Sequence, residues 1–243
     1  MKISVCIPMY NESAIIAENA KRLWDYMENN FVNDLGERDY EIIYSNDGST
    51  DNCADIVRDL ELPGIIVTGY DKNQGKGYAV RTAMLMARGD VCMFTDADLA
   101  YGTEVIKQMV DTFDSNPDSK LVIGSRNLSG DGYSNYTFIR KVASKMYIKV
   151  LCLVGGFRLS DSQCGCKGFR ADAVREIFPR LEVNGFAFDF EALLWATKLN
   201  YKITEMPVSV KVHGDSKVRI LRDTFRMLRD IIKMKKRINN TQI

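Results

Sequence analysis

Val91-Cys92-Met93-Phe94-Thr95-Asp96-Ala97-Asp98-Leu99 decides the reading of this chain. Its first four residues are apolar and bounded by Gly89-Asp90. A short continuous run of this kind is the pattern of a strand buried on both faces of a parallel sheet. Two aspartates one residue apart follow, at the strand end where open α/β sheets place their ligand crevice. Carboxylates that close repel each other unless a cation lies between them. Hard oxygen ligands suit Mg2+ or Mn2+, completed by water and a ligand's phosphates. One reading of the stretch is therefore a metal–diphosphate site. The other is a strand-end turn in which one Asp caps the following helix.

Working outward, apolar runs and helical stretches alternate. Ile3 to Ile7 is β-branched and closed by Pro8, and Tyr40 to Ser45, Gly64 to Gly69 and Leu121 to Gly124 complete a set of five strands with the central one. Helices are expected from a cap at Asn11 or Ser13 to about Asn30, over 52–60 behind Thr50 or Asp51, over 78–88 and over 102–115. This alternation predicts a mostly parallel sheet with right-handed crossovers. Three strand ends then carry polar clusters, Tyr10/Glu12, Asp47 and Asp96/Asp98, and a parallel sheet brings those ends to one edge. Neither a G-x-G-x-x-G turn after the first strand nor a Walker A loop at Gln74-Gly75-Lys76-Gly77 is present, which disfavours dinucleotide oxidoreductases and P-loop NTPases.

The 243 residues suit one large domain, and 33 Lys+Arg against 32 Asp+Glu give no global charge signal for nucleic acid. The six cysteines are scattered and lack zinc or redox spacing, so reduced thiols are expected. The first eight residues do not read as a signal peptide, and no apolar stretch reaches the roughly 18 residues of a membrane span.

Val5-Cys6-Ile7-Pro8-Met9-Tyr10-Asn11-Glu12, Asn46-Asp47-Gly48-Ser49-Thr50-Asp51, Asn73-Gln74-Gly75-Lys76-Gly77 and Asp96-Ala97-Asp98 stand in the order seen in family 2 glycosyltransferases, which they resemble. Gly124-Ser125-Arg126, Arg140, Asp161-Ser162-Gln163-Cys164-Gly165-Cys166-Lys167-Gly168-Phe169, Phe188-Asp189-Phe190-Glu191 and Gly214-Asp215-Ser216-Lys217 are similar to the polyprenyl-phosphate branch, the dolichyl-phosphate glucosyltransferases and mannose synthases. Asp-Ser-Gln-Cys-Gly tilts the resemblance to the glucosyltransferase side. Ala100 stands where mannose synthases commonly carry a Gln after the D-x-D.

The resemblance implies an α/β GT-A nucleotide-diphospho-sugar transferase fold, with a mostly parallel central sheet flanked by helices. Residues 1–125 would form a nucleotide-sugar half and 126–215 an acceptor half. It further implies that Pro8, Tyr10, Glu12 and Asp47 hold the nucleoside, with Lys76 near the nucleotide. Asp96 would meet ribose or sugar and share the metal, Mg2+ or Mn2+, with Asp98. Arg126 and Arg140 would face phosphate, and Gln163 the sugar. The implied activity is inverting transfer of a hexose from a nucleotide sugar, UDP-glucose favoured, to a polyprenyl phosphate at the cytoplasmic face of a membrane.

A hydroxyl acceptor needs a base, whereas a phosphate monoester has a second pKa of about 6 and is largely ionised at neutral pH. The one histidine, His213, lies in a polar segment, and Asp189 sits near where hydroxyl-using relatives carry their base. Asp189 and Glu191 also suit a helix N-terminus, where carboxylates complement the dipole. The rivals are the same fold acting on a sugar hydroxyl of a glycan or glycolipid, a polyprenyl-phosphate mannose synthase using GDP-mannose, a sugar-1-phosphate nucleotidyltransferase, and an inactive membrane-binding module.

Residues 138–155 mix Arg140, Lys141, Lys145 and Lys149 with apolar side chains and read as a helix, buried or interfacial. Residues 216–243 read as a basic amphipathic helix. Ile220, Leu221, Phe225, Met227, Leu228, Ile231, Ile232 and Met234 share one half, and Arg222, Arg226, Arg229, Lys233 and Lys236 another. Such a helix either lies on a membrane surface or docks by its apolar face onto the domain. Oligomeric state is open.

Overall fold

The computed structural model describes residues 1–130, 152–153, 155–211, 231 and 233–242. Arg140, His213, Gly214 to Lys217 and most of the two basic helices read at 138–155 and 216–243 lie outside the described residues.

The strands are β1 (Ile3–Met9), β2 (Tyr40–Asp47), β3 (Ile65–Tyr70), β4 (Val91–Phe94), β5 (Leu121–Ser125), β6 (Lys167–Arg170) and β7 (Ile203–Pro207). They form one sheet in the order β3-β2-β1-β4-β6-β5-β7. All pairs are parallel except those of β6, which runs antiparallel to both β4 and β5. The helices are α1 (Ile16–Asn30), α2 (Cys53–Asp59), α3 (Lys76–Met86), α4 (Glu104–Ser115), α5 (Ala171–Ile177) and α6 (Phe188–Lys198), with a 3-10 turn at Phe178–Arg180.

Successive strand residues face opposite sides, so β1 feeds two apolar layers. Ile3, Val5 and Ile7 pack with α1, α2 and α4, while Cys6 faces α3, α5 and α6. Each helix reaches its layer by spacing: α1 buries Ile16, Ala20, Leu23 and Met27, one per turn, each large side chain contributing about 1.5–3 kcal/mol. Pro8 is tolerated in a central strand because β4 pairs only as far as Cys6, leaving that side of Pro8 outside the ladder.

Three expectations need correction. Neither Asn11 nor Ser13 caps α1, which starts at Ile16 with the Ile15 and Ile16 amides on the Glu12 carbonyl. Asn11 Oδ1 instead takes the Thr50 amide at 2.8 Å, and the Ser13 amide donates to Asp51 at 2.9 Å, so these side chains tie the loop after β1 to the loop after β2. Helix α3 begins at Lys76, two residues earlier than expected. Neither Asp96 nor Asp98 caps α4, whose cap position, Thr103, makes no side-chain hydrogen bond.

The described end of the chain is helical at 231 and 233–240. Ile231, Met234 and Ile238 are buried in the α3–α5–α6 layer, while Lys233 and Lys236 are exposed. Lys198 donates to the carbonyls of Ile238 and Asn239 and so closes the helix end. Among the described residues, no helix is long and apolar enough to cross a membrane.

Candidate active site

The sheet order places a switch point at β1. Strands β2 and β3 extend from one side of it and β4 from the other. A crevice opens outside the strand ends at such a point, and it is flanked here by Tyr10–Glu12 after β1 and Asp96–Asp98 after β4. The Asp96–Leu99 segment is a tight turn: the Leu99 amide donates to the Asp96 carbonyl at 3.0 Å and the Ala100 amide to Asp98 Oδ1 at 3.0 Å. Leu99 adopts φ 49°, a left-handed conformation costly for a branched side chain, and burial of that side chain offsets the strain. Asn19 of α1 fastens the turn through the Ala97 carbonyl at 2.9 Å.

Lys76, first residue of α3, reaches across to this turn and donates to Asp96 Oδ1. Burial opposes its charge, yet Asp96, with Asp189 and Asp98 beyond it, outweighs burial and raises the Lys76 pKa. The backbone before Lys76 is set by Asp47. Its Oδ1 accepts from Tyr70 (2.6 Å), the Gln74 amide (2.8 Å) and the Gly75 amide (3.0 Å), and its Oδ2 from Asn73 (2.9 Å). Asp47 is 4% exposed. Expected on a nucleobase, it holds the 73–75 loop through both oxygens, because buried carboxylate oxygens collect the donors nearest them. Gly75 has φ 107°, and a Cβ there would fall 2.5 Å from the Asn184 carbonyl oxygen. That carbonyl also accepts the Gly77 amide at 2.8 Å. Of the other expected nucleoside contacts, Pro8 is buried, Glu12 half-buried and Tyr10 exposed at the crevice edge.

Strand β6 brings the second half of the site in. Because it runs antiparallel to β4, its first residue, Lys167, pairs with Phe94, and the loop before it lies against the Asp96 turn. A Cβ on Gly165 would sit 2.7 Å from Asp96 Oδ2, and the Gly165 amide donates to the Tyr101 hydroxyl at 3.1 Å. Lys167 is fully buried; its Nζ donates to Asp189 Oδ2 at 2.8 Å and to the Cys164 carbonyl at 2.5 Å. The other Asp189 oxygen takes the Phe190 amide at 2.7 Å.

Arg126, expected to face phosphate, is turned inward. Its guanidinium forks onto buried Asp161, Nε to Oδ2 at 2.6 Å and Nη2 to Oδ1 at 2.9 Å. Burial works against that charge, but the Asp161 carboxylate prevails and raises the arginine's pKa. The pair fixes the 160s loop to the end of β5. Gln163 stands half-buried in that loop, its amide on Asp161 Oδ1 at 3.2 Å. Thus Lys76 meets Asp96 beside Asp98, with Asp189 close enough to act on the Lys76 charge and Gln163 two residues before Gly165, whereas the Asp47 and Arg126 side chains are held by their own neighbours.

Two carboxylates, Asp96 and Asp98, both partly exposed, are the candidates for a cation end of the site. Burial first, then the neighbouring Asp96 charge, raises the Asp98 carboxyl above its ordinary value. Among the described residues no group of three or more His, Cys, Asp or Glu side chains is placed to hold a metal ion. Hard oxygen donors of this kind, with one Asp96 oxygen held by Lys76, nevertheless suit Mg2+ or Mn2+ of the kind held jointly with a ligand's phosphates. The folded protein binds the Asp98 proton more tightly than the unfolded chain does. Ionising Asp98 therefore costs stability, and the cost sets in as pH rises from the unfolded carboxyl value through the folded one. Excess Mn2+ is expected to raise the melting temperature at neutral pH and to lose that effect in the acidic range where Asp98 is protonated. Thermal melts at the two pH values check this, and an equal increment at both would contradict it.

Sequence pattern alone assigns Lys167 no role. Its signal was present, a lone lysine between Cys164-Gly165-Cys166 and Gly168-Phe169, in a stretch too apolar to leave a charge in water. Tyr70 and Asn184 carried no such mark.

The family model described as Glycosyl transferase family 2 matches residues 4–178. A dolichyl-phosphate beta-glucosyltransferase of Trichomonas vaginalis is 33% identical over 220 residues, covering 88% of this chain and 65% of that protein. The chain thus spans just under two thirds of that relative's length. The dolichyl-phosphate beta-glucosyltransferase of Dictyostelium discoideum is 31% identical over 248 residues, 96% of this chain and 73% of that one. In fold, the chain is similar to glucosyl-3-phosphoglycerate synthase from Mycobacterium tuberculosis, crystallised with Mn2+, uridine diphosphate and phosphoglyceric acid. The TM-score is 0.71 at 17% identity, over all of this chain and 80% of that one. The expected GT-A-like architecture is the one observed, its family match runs from β1 through the D-x-D turn and β6 to the end of α5, and the chain belongs to glycosyl transferase family 2.

Proposed function

We propose that this protein is an inverting hexosyltransferase that moves glucose from UDP-glucose onto a polyprenyl or dolichyl phosphate. The observation that carries the acceptor class is the Lys167–Asp189 pair. Asp189 is the carboxylate best placed to take a hydroxyl proton, and its oxygens already accept from a buried ammonium and a backbone amide. An acceptor that arrives ionised requires no such base. The names of the two dolichyl-phosphate relatives support the same acceptor.

In this reading the nucleoside lies along the ends of β1 and β2, beside Tyr10 and Glu12. Asp96 and Asp98 would hold Mg2+ or Mn2+, which neutralises charge on the departing diphosphate when bound. Lys76 sits beside Asp96 and adds a positive charge near the same phosphates. Gln163 and the Gly165 backbone border the sugar. Displacement in line inverts the anomeric centre, so an α-linked donor gives a β-linked product. The exposed Lys233 and Lys236 support peripheral association with an anionic membrane surface, expected at the cytoplasmic face.

A comparison of acceptors tests the proposal. With UDP-glucose and Mn2+, transfer is expected to a short polyprenyl phosphate and not to the corresponding polyprenol. Asp189→Asn should retain measurable transfer to the phosphate. Transfer to the alcohol, abolished by Asp189→Asn, would assign the site to a hydroxyl acceptor instead.

A further inference from the structure

Glu191 is fully buried on α6, two residues beyond Asp189, and is itself no part of the crevice. Its carboxylate joins two distant segments. It accepts the Glu182 amide at 3.1 Å and the Val183 amide at 2.9 Å, and it pairs with Arg237 of the C-terminal helix. Arg237 also pairs with the Glu182 side chain. The 182–185 loop so gripped gives its Asn184 carbonyl to the Gly77 and Tyr78 amides, at 2.8 and 3.2 Å. Those amides open α3, and Lys76 stands immediately before them. Space around this contact is tight, since a Cβ on Gly77 would meet the Val183 oxygen at 2.6 Å and Phe188 Cβ at 2.5 Å. The loop and the start of α3 therefore shift together.

We infer that Arg237 is a positioning residue for the donor site: through Glu191 it fixes the 182–185 loop against the start of α3, and so sets Lys76 on Asp96. This deepens the proposed function and rests on it, because it takes the Lys76–Asp96 edge as the place where the donor's phosphates bind. The groups facing Glu191 are Arg237 from the C-terminal helix, Glu182 from the loop and Arg81 from α3. Burial pushes the Glu191 carboxyl up to about 7, against the pull of the Val183 amide and the Arg81 charge. Removing the Arg237 cation disfavours the carboxylate further and moves its titration to higher pH.

The test is UDP-glucose affinity of the full chain in the presence of Mn2+, measured by calorimetry across the neutral range. Arg237→Gln is expected to weaken binding by about 5- to 150-fold, the usual span of coupling between sites. The pH midpoint of binding should move upward, and Arg237→Lys should recover part of both effects. Asn240→Ala, exposed on the same helix, should match the wild type. Lost packing alone would lower the melting temperature without moving the midpoint. Wild-type affinity and midpoint in a folded Arg237→Gln variant would overturn the positioning role while leaving the proposed function standing. Failure of the wild type to bind any UDP-sugar would remove both.

Discussion

Lys167→Met is expected to destabilise the protein by about 3–5 kcal/mol, because it strands the buried Asp189 carboxylate without its cation. For a chain of this size that corresponds to a fall in melting temperature on the order of 10 °C. The pair is almost wholly removed from water, with side-chain exposures of 0% for Lys167 and 9% for Asp189, so solvent screening does little to soften the loss. The ammonium also satisfies the Cys164 carbonyl, which leads into the Gly165–Asp96 contact. Asp189→Asn in the same background removes the stranded charge and should restore more than half of the lost stability. A double-mutant cycle followed by thermal melting reads this directly. Additive losses would mean that the two side chains act separately.

Asp98→Ala is expected to lower kcat/KM for glucosyl transfer by about 10²–10³-fold, the usual cost of removing one group that stabilises charge in a transition state. Stability should rise slightly or stay level, because the variant discards a carboxylate whose ionisation burial and Asp96 both oppose. Loss of activity with retained or improved melting temperature separates a functional carboxylate from a structural one. Steady-state kinetics with excess Mn2+ and a short polyprenyl phosphate provide the measurement, and unchanged kinetics would remove Asp98 from the cation end of the site.

The strand–helix alternation and the polar strand ends were legible because each depends on local pattern: apolar runs of four to eight residues, Gly and Pro punctuation, and acids placed just past a strand. The convergence of Tyr10, Asp47 and Asp96 on one edge followed from parallel pairing alone. What each carboxylate does there was not legible. Asp47 and Asp96 follow strands in the same way, yet Asp47 is saturated by the 73–75 loop and Asp96 is left to Lys76. That difference comes from a loop 26 or more residues downstream. Arg126 looked like a phosphate ligand until Asp161, 35 residues away, claimed its guanidinium. Strand β6 escaped notice as a strand because four residues containing Lys, Gly and Arg carry little strand propensity, and the sheet recruits them through β4 and β5. At the C-terminal end, spacing puts Ile231 and Met234 on the apolar side of the helix, and both are docked. Arg237 fell outside the basic stripe, and its significance depends on a buried Glu191 that sequence spacing cannot show to be buried.

The most direct test of the account is the chemical identity of the product. Purified protein would be incubated with UDP-α-glucose, Mn2+ and a short polyprenyl phosphate, and the lipid product examined by mass spectrometry and by NMR of its anomeric proton. The account predicts a β-linked glucosyl phosphoryl polyprenol formed in step with UDP release. An α-linked product, or UDP release with no sugar on the lipid phosphate, would contradict it.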